Sequence, residues 1–257
     1  MKITVLTENT TKKGLPVEHG LSLFIESEGR KILFDTGQSA LFAENAERLG
    51  IDLSEAELAV ISHGHYDHGG GLKAFLSINK TAPVYLSRYA FEEHFNAEGK
   101  YIGLDPSLQK SDRLIFTGDE HKLCDGMTLY SRNGSGKRLE MGAFGLGMKK
   151  DGAIVPDDFR HEHYLLIEEA GKRILISGCS HKGIINIAEW FKPDILVGGF
   201  HFMKLEPSEV LRSYAETLDA FDIAYYTCHC TGTAQYEFMK PHIKNLNYIA
   251  AGDTVIL

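Results

Sequence analysis

Three histidines and one aspartate lie within six residues of this chain, at His63, His65, Asp67 and His68. Imidazole nitrogen and carboxylate oxygen are ligands that zinc, iron and manganese accept in proteins. Residues two apart on a strand share a face, and a sharp turn after them brings the later side chains back toward the earlier ones. The spacing therefore predicts a metal site, with a histidine-rich surface loop as the alternative.

The elements on either side of this run must position it. Residues 58–61 are apolar and predict a short buried strand that ends directly at the loop. Gly69, Gly70 and Gly71 follow the loop and let the backbone pack closely beneath it. Further strands are predicted at residues 3–6, 21–25, 31–34, 83–87, 114–116 and 127–130, and helices at 39–49, 72–77 and 89–95.

In the C-terminal half, predicted strands again end in histidine-bearing loops. The strands at 173–177, 195–197 and 223–227 precede His181, His201 and His229, respectively. Helices are predicted at 184–191 and 207–221, and a flexible lid or long surface loop at 132–158. Two strand-rich halves with helices outside predict stacked sheets in a single domain over residues 1–257.

The composition limits the classes of function. The chain has 257 residues, 27 Lys+Arg and 35 Asp+Glu, so its formal net charge of −8 argues against nonspecific binding to nucleic acid. No stretch approaches the ~18–20 apolar residues that a membrane-spanning helix needs. Four cysteines are too few for a disulfide scaffold, which favours a reducing cytoplasm. We expect a small-molecule substrate and neither a nucleic-acid nor a membrane partner; a homo-oligomer is one state that the sequence leaves open.

The run from His63 to His68 resembles the signature of the metallo-β-lactamase superfamily, an H-x-H-x-D-H loop after a buried strand. The similarity extends to residues 34–37, where Asp35 matches the superfamily's upstream aspartate, a structural residue beneath the metal loop. The resemblance implies an α+β fold, an αββα sandwich of two mixed β-sheets flanked by helices. It also implies one or two divalent metal ions, zinc in the first place, with iron or manganese as alternatives.

A narrower resemblance covers most of the chain. Its motifs occur in order at residues 18–23, 62–68, 177–181, 198–201 and 227–232. This series is similar to the branch named after the 7,8-dihydropterin-6-methyl-4-(β-D-ribofuranosyl)-aminobenzene 5′-phosphate synthase. The branch implies a small phosphorylated or pterin-like metabolite as the substrate.

The resemblance also implies which residues bind the metals. His63 and His65 would bind the first metal with a third histidine, for which His181 is the preferred candidate. By sequence order alone His161 or His163 could take that place, but both flank Glu162 in a charged stretch that favours a solvated surface. Asp67, His68 and His229 would bind the second metal.

One departure from the superfamily bears on the second metal. The superfamily usually has a metal-bridging aspartate where this chain has Gly178 and Cys179. Cys179 is either a thiolate ligand or a small buried residue. Either way, loss of the carboxylate would weaken the second site, so one metal is better supported than two.

The remaining histidines are less constrained by pattern. His19 and His201 lie in loops that the resemblance places around the active site, where they would bind substrate, donate a proton, join the metal shell or remain structural. His94, His121 and His242 have no supporting context and are predicted to lie on the surface.

Together these features predict a metal-dependent hydrolase or synthase. A metal-bound hydroxide would attack carbon or phosphorus, and Asp67 would orient that nucleophile or accept its proton. The alternatives are a general phosphodiesterase, lactonase or thioesterase, and a non-catalytic metal-binding module. A redox di-iron protein is disfavoured by His65, because such proteins prefer a carboxylate at that position.

Overall fold

The computed structural model describes residues 1–257, which divide into two compact units. The first unit consists of residues 1–118, 145–163 and 250–257, and the second of residues 119–144 and 164–249. Each unit contains a seven-stranded mixed sheet, three α-helices and its own apolar cluster. The organisation of the chain as one domain over residues 1–257 stays a prediction.

The chain forms seventeen strands and six α-helices. The strands are β1 (Lys2–Thr7), β2 (Ser22–Ser27), β3 (Arg30–Phe34), β4 (Leu58–Ile61), β5 (Val84–Ser87), β6 (His94–Phe95), β7 (Leu114–Thr117), β8 (Glu120–Cys124), β9 (Met127–Tyr130), β10 (Gly147–Lys150), β11 (Ala153–Pro156), β12 (Tyr164–Glu169), β13 (Lys172–Ile176), β14 (Ile195–Gly198), β15 (Ala224–Thr227), β16 (Leu246–Tyr248) and β17 (Thr254–Ile256). The helices are α1 (Leu41–Arg48), α2 (Tyr66–Gly69), α3 (Leu72–Ile78), α4 (Ile184–Phe191), α5 (Glu209–Asp219) and α6 (Thr233–Met239).

The large sheet of the first unit has the strand order β17-β1-β2-β3-β4-β5-β7. Its first four strands pair antiparallel, whereas β3, β4, β5 and β7 run parallel. All four residues of β4 are buried, as expected for a strand between two parallel neighbours. Because β3 and β4 run in the same direction, the residues that follow them lie at the same edge of the sheet.

Helices α1 and α3 contribute side chains to the apolar cluster of the first unit. Phe42 from α1 and Leu72 and Phe75 from α3 are fully buried there with Leu33 and Ile61. The same unit contains a small antiparallel sheet of β11, β10 and β6. Ala59 and Ile61 of β4 lie in the apolar cluster with these helical side chains, so the strand that precedes the histidine-rich loop is part of the core of the unit.

The large sheet of the second unit has the strand order β16-β15-β14-β13-β12-β9-β8. Strands β13, β14, β15 and β16 run parallel, and β8, β9, β12 and β13 pair antiparallel. Phe191, Leu211 and Met239, one from each of the unit's three helices, lie in its apolar cluster. The loops after β13, β14 and β15 carry the three C-terminal candidate histidines.

Two expectations about segments are wrong. Residues 89–95 do not form a helix, because the segment turns and ends in β6, which pairs with β10. Residues 132–158 are not one long loop, because they contain the β10–β11 hairpin. In the first case strand pairing with a distant segment decides the conformation over local propensity. The second is a local hairpin, whose two strands are joined at Asp151 and Gly152.

The longest α-helix, α5, has 11 residues, and none of the six is both long and apolar enough to span a membrane.

Candidate metal centre

The histidine-rich loop starts at the end of β4 and turns into the short helix α2. His63, His65, Asp67 and His68 are all buried, and His65 is the extended residue just before α2. The ring centroid of His63 lies 4.7 Å from that of His65 and 4.1 Å from that of His68. The structure therefore brings together the three histidines of the predicted motif in one buried group.

Asp35, the residue after β3, bonds to the loop from below. Its Oδ1 accepts from the Ser62 amide at 2.6 Å, and its Oδ2 accepts from Ser62 Oγ and from His68 Nδ1, each at 2.7 Å. A carboxylate oxygen only accepts, so the proton of His68 lies on Nδ1 and its Nε2 is the nitrogen able to bind a metal. Asp35 thus occupies the position that the sequence predicted for it.

Ser62 sets the protonation of His63 in the same way. The hydroxyl hydrogen of Ser62 is donated to Asp35, so Ser62 Oγ accepts from His63 Nδ1 at 2.9 Å. The Nε2 of His63 is therefore the atom able to ligate a metal. Outer hydrogen bonds of this kind orient metal-binding histidines and select their tautomer.

Close backbone packing requires glycine behind the loop. A Cβ added at Gly70 would lie 2.4 Å from the carbonyl oxygen of Gln38 and 2.5 Å from that of Tyr66. Neither oxygen can withdraw without moving its chain segment. The predicted role of the glycine run, close approach of the backbone beneath the site, is therefore present at Gly70.

Asp67 is 8% exposed, the most accessible residue of the four in the loop. The Nε2 of His19 lies 3.4 Å from its Oδ2, and the Nδ1 of His19 lies 3.3 Å from the Asn9 side-chain amide. The His19 side chain is 44% exposed, so it lies between the carboxylate and solvent. Contact of His19 with a substrate remains a prediction.

The second unit carries its candidate histidines at the carboxyl ends of parallel strands. His181 follows β13, His201 follows β14 and His229 follows β15, and the rings of His181 and His201 lie 4.3 Å apart between centroids. Both His201 and His229 have left-handed backbone conformations, with φ of 56° and 48°. Non-glycine residues adopt this region at a cost and are concentrated at functional sites.

Cys179 also lies in this group of the second unit. Cys179, His201 and Cys230 offer ligand atoms that lie within 4.8 Å of one another. The predicted ligand set takes four residues from the first unit and two, His181 and His229, from the second. Their joint binding of metal, and the role of Cys179 in it, remain predictions.

A family model described as the metallo-β-lactamase superfamily matches residues 15–225 of the chain. The chain belongs to the metallo-β-lactamase superfamily. The match confirms the resemblance on which the sequence prediction depends, and the two mixed sheets with flanking helices agree with that fold.

Relatives of this superfamily member cover nearly its whole length. An uncharacterised protein of Methanocaldococcus jannaschii is 32% identical over 240 residues, 90% of each chain. The 7,8-dihydropterin-6-methyl-4-(β-D-ribofuranosyl)-aminobenzene-5′-phosphate synthase of the same organism is 26% identical over 285 residues, covering 99% of this chain and 96% of the synthase. A solved metal-dependent hydrolase of the β-lactamase superfamily aligns with a TM-score of 0.83 and 28% identity, covering 100% of this chain and 99% of that chain.

The sequence predicted surface positions for His94 and for the stretch around His161 and His163. In this metallo-β-lactamase superfamily protein those predictions are wrong. All three histidines are at most 1% exposed. His163 directs Nε2 to the Ile61 carbonyl oxygen at 2.7 Å and Nδ1 to Thr117 Oγ at 3.4 Å. Local charge misled the prediction, because the partners of these rings lie far away in the sequence.

Asp157 is a buried carboxylate that the sequence did not single out. Its Oδ2 lies 2.8 Å from His94 Nδ1 and 3.3 Å from His161 Nε2. Burial alone would raise the pKa of Asp157, but the hydrogen bonds from His161 and His94 outweigh it and hold the pKa below its ordinary value. The sequence around Asp157 has no pattern that predicts a buried carboxylate, because residues 132–158 were expected to form a flexible lid or a long surface loop.

His65 lies against this carboxylate cluster. Burial, followed by the neighbouring His161 ring, holds the pKa of His65 well below its ordinary value. The imidazole of His65 is therefore neutral at physiological pH, which is the state in which histidine binds a metal.

Proposed function

We propose that this chain is a metal-dependent hydrolase or synthase that acts on a small phosphorylated or pterin-like metabolite. The observation that carries the proposal is the buried loop after β4, in which outer hydrogen bonds direct the Nε2 atoms of His63 and His68 toward ligand roles. Membership of the metallo-β-lactamase superfamily supports the metal-dependent part. The substrate class is supported by the synthase that is 26% identical over 99% of the chain.

The residues present fit one or two divalent cations. His63 and His65 would hold the first with His181, and Asp67 and His68 would hold the second with His229. The rings of His161 and His163 are already engaged in hydrogen bonds to Gly64, Asp157, Ile61 and Thr117, which supports His181 as the third ligand. Nitrogen and carboxylate ligands favour zinc, with iron or manganese as alternatives.

A divalent cation in such a site supplies Lewis acidity, which lowers the pKa of water and polarises carbonyl or phosphoryl oxygen. The protein supplies the proton and substrate contacts. Asp67 accepts a proton from the attacking nucleophile or orients it, and at 8% exposed it is the most accessible of the four residues of the loop. His19, beside Asp67, and His201, on the loop after β14, bind polar groups of the substrate.

A metal measurement with His65→Ala tests this function. Loss of a ligand should weaken zinc binding by more than the ~10–100-fold typical of lost outer-shell partners. His242→Ala is the matched control, because His242 lies in a short 3-10 turn outside the loop and should leave metal content unchanged. Elemental analysis of both purified variants checks the prediction; equal metal in His65→Ala and the unmodified chain would contradict it.

Substrate assays then separate the finer alternatives. The metal-loaded chain is offered phosphorylated and pterin-like substrates beside phosphodiesters, lactones and thioesters. The solved hydrolase at 28% identity is the observation that favours simple hydrolysis as the second candidate. Turnover of an ester alone would support that candidate, and tight metal binding without any turnover would support a non-catalytic metal-binding module.

We also propose a cytoplasmic location and small-molecule partners for this protein. None of the four cysteines forms a disulfide, which supports a reducing cytoplasm as its location. The net charge of −8 supports small-molecule rather than nucleic-acid partners. No membrane partner is proposed, and a homo-oligomer is compatible with these properties.

A further inference from the structure

A second cluster of ligand-type side chains lies within the first unit. It shares His65 with the histidine-rich loop of residues 63–68, called the metal loop below. It consists of His65, His94, Asp157 and His161, all buried, with ligand atoms within 4.8 Å of one another. Three imidazoles and a carboxylate have the composition of a metal site. Hydrogen bonds decide whether the cluster can act as one.

The tautomer of His161 argues against metal binding at this cluster. The backbone N–H of Gly64 donates to His161 Nδ1 at 2.9 Å. An N–H group can only donate, so Nδ1 is the acceptor and the proton of the neutral ring lies on Nε2. That Nε2 lies 3.3 Å from Asp157 Oδ2, to which it donates. A nitrogen that carries a proton does not ligate a metal ion.

The carboxylate of Asp157 is satisfied by protein donors. Its Oδ1 accepts from the Phe159 amide at 2.7 Å, and its Oδ2 accepts from His94 Nδ1 at 2.8 Å as well as from His161. A buried carboxylate with three N–H donors is stabilised without a cation. The cluster is therefore a hydrogen-bonded network that needs no metal ion. Through His161 it bonds to the backbone amide of Gly64.

Gly64 is the residue between the first two proposed ligands, His63 and His65. A Cβ at Gly64 would lie 2.3 Å from the Ala90 carbonyl oxygen, so the loop backbone is tightly enclosed at this point. The single donor that Gly64 offers is used on His161. The orientation of this peptide in turn affects where the side chains on both sides of it point.

We propose that Asp157 and His161 are positioning residues for the metal loop. Asp157 fixes the Nε2–H tautomer of His161, and His161 then holds the Gly64 amide so that His63 and His65 are presented in ligating geometry. His94 donates to the same Oδ2 of Asp157 and so helps to anchor the carboxylate. The hydrogen bonds from the Gly64 amide through His161 to Asp157 form a relay that is present without metal. The effect of this relay on metal binding rests on the proposed function above.

Two substitutions at one position separate the halves of this relay. In His161→Asn, the side-chain oxygen lies near the former Nδ1 and can still accept from Gly64. In His161→Gln, the amide lies near the former Nε2 and keeps only the contact to Asp157. We expect cobalt(II) affinity to fall ~10–100-fold in His161→Gln, with a shifted visible absorption spectrum, and to stay within about threefold in His161→Asn.

Glu92→Gln is the matched control for local stability. Arg160 forms a two-pronged ion pair with Glu92, at 2.9 Å and 2.6 Å, and so links the same two segments that His94 and Asp157 link. The ion pair joins Arg160 to Glu92 and includes no residue of the metal loop. Glu92→Gln should weaken the segment and leave the cobalt(II) spectrum unchanged; an equal spectral shift in this control would assign the effect to general loosening and overturn the proposal.

Nuclear magnetic resonance of the full metal-free chain tests the relay independently of the proposed function. Nitrogen-15 spectra should show His161 as the Nε2–H tautomer, and the Gly64 amide should exchange slowly with solvent, losing that protection in His161→Gln but not in His161→Asn. An Nδ1–H tautomer, or loss of the Nε2 proton on addition of zinc, would overturn the relay and make the cluster a metal site. If the relay is present and the unmodified chain binds neither cobalt nor zinc, the proposed function fails while the relay stands.

Discussion

At the scale of single residues, the hydrogen bond made by one ring nitrogen of a histidine decides whether the other ring nitrogen is able to bind a metal. Asp35 and Ser62 place protons on the Nδ1 atoms of His68 and His63, and the Gly64 amide places the proton of His161 on Nε2. The same residue type therefore has opposite roles within one small region. Residue identity alone would count all of them as ligands.

Asp35→Asn tests the support beneath the loop. Asparagine tolerates the left-handed backbone that Asp35 adopts, φ of 59°, so the substitution mainly removes charge and acceptor capacity. We expect the free energy of unfolding to fall by at least about 2 kcal/mol, because three donors lose a charged acceptor. Zinc affinity should fall ~10–100-fold as His68 loses its orientation.

Urea unfolding and zinc titration measure these two effects. The control is Asp52→Asn, since Asp52 is exposed and only caps a short 3-10 turn through Ser54. Its cost should stay near or below about 1 kcal/mol, without change in zinc affinity. A zinc affinity that is unaltered in Asp35→Asn would show that the loop orients its histidines without this carboxylate.

At the scale of elements, parallel strand pairing determines where the chemistry-bearing loops lie. Asp35 and His63 follow β3 and β4, whose carboxyl ends share one sheet edge in the first unit. His181, His201 and His229 follow the parallel strands of the second unit in the same manner. Ligand sites at the carboxyl ends of parallel strands are the general rule in open sheets.

Gly70→Ala tests how tightly the loop packs on its surroundings. The added methyl would meet two backbone oxygens at about 2.5 Å or less, so the chain must shift to accept it. Overpacking of this kind costs about 1–3 kcal/mol in the free energy of unfolding, and the shift should also weaken zinc binding.

Gly134→Ala provides the comparison, because no atom lies within 4 Å of a Cβ at that position. Both variants are measured by thermal unfolding and by zinc titration. Equal stability of Gly70→Ala and Gly134→Ala would mean that the loop adjusts without cost and that the glycine run has no packing role.

At the scale of the whole molecule, the two units repeat one plan without repeating sequence. Each has a seven-stranded mixed sheet with antiparallel pairing on one side and parallel pairing on the other, and the candidate site residues follow parallel strands. The net charge of −8 belongs to the molecule as a whole and is independent of these local features. It sets the long-range interaction with other charged molecules.

The charge predicts weak association with nucleic acid. Neutralising backbone phosphates requires a basic surface, and an excess of carboxylates repels them at long range. Fluorescence anisotropy with a labelled DNA duplex at physiological salt should show a Kd no tighter than about 10⁻⁴ M, the weak end of nonspecific binding. Binding near or below about 10⁻⁶ M would reveal a basic patch that the total charge conceals.

The strands and the loop that starts the site could be predicted from sequence because their signals are local. The apolar run of β4 begins and ends at the predicted residues, and α4 does as well. The superfamily followed from the spacing of His63, His65, Asp67 and His68, which is contained in six residues. Such signals survive without knowledge of the fold.

The conformation of the middle of the chain could not be predicted in the same way. His94, expected on the surface and in a helix, is buried in a strand because β6 pairs with β10. Residues 153–156 form a strand by pairing with β10, although their local sequence shows no sustained period. Pairing energy from a partner outweighs weak local preference in such segments.

The sequence by itself determined the composition of the histidine-rich loop, the family, and most elements of both sheets. Only the tertiary structure decided which imidazole nitrogen carries a proton and which histidines are buried. The physical reason is distance along the chain: Gly64 and His161 are 97 residues apart, and His94 and Asp157 are 63 apart. A tautomer depends on the atom that faces it, and folding alone supplies that atom.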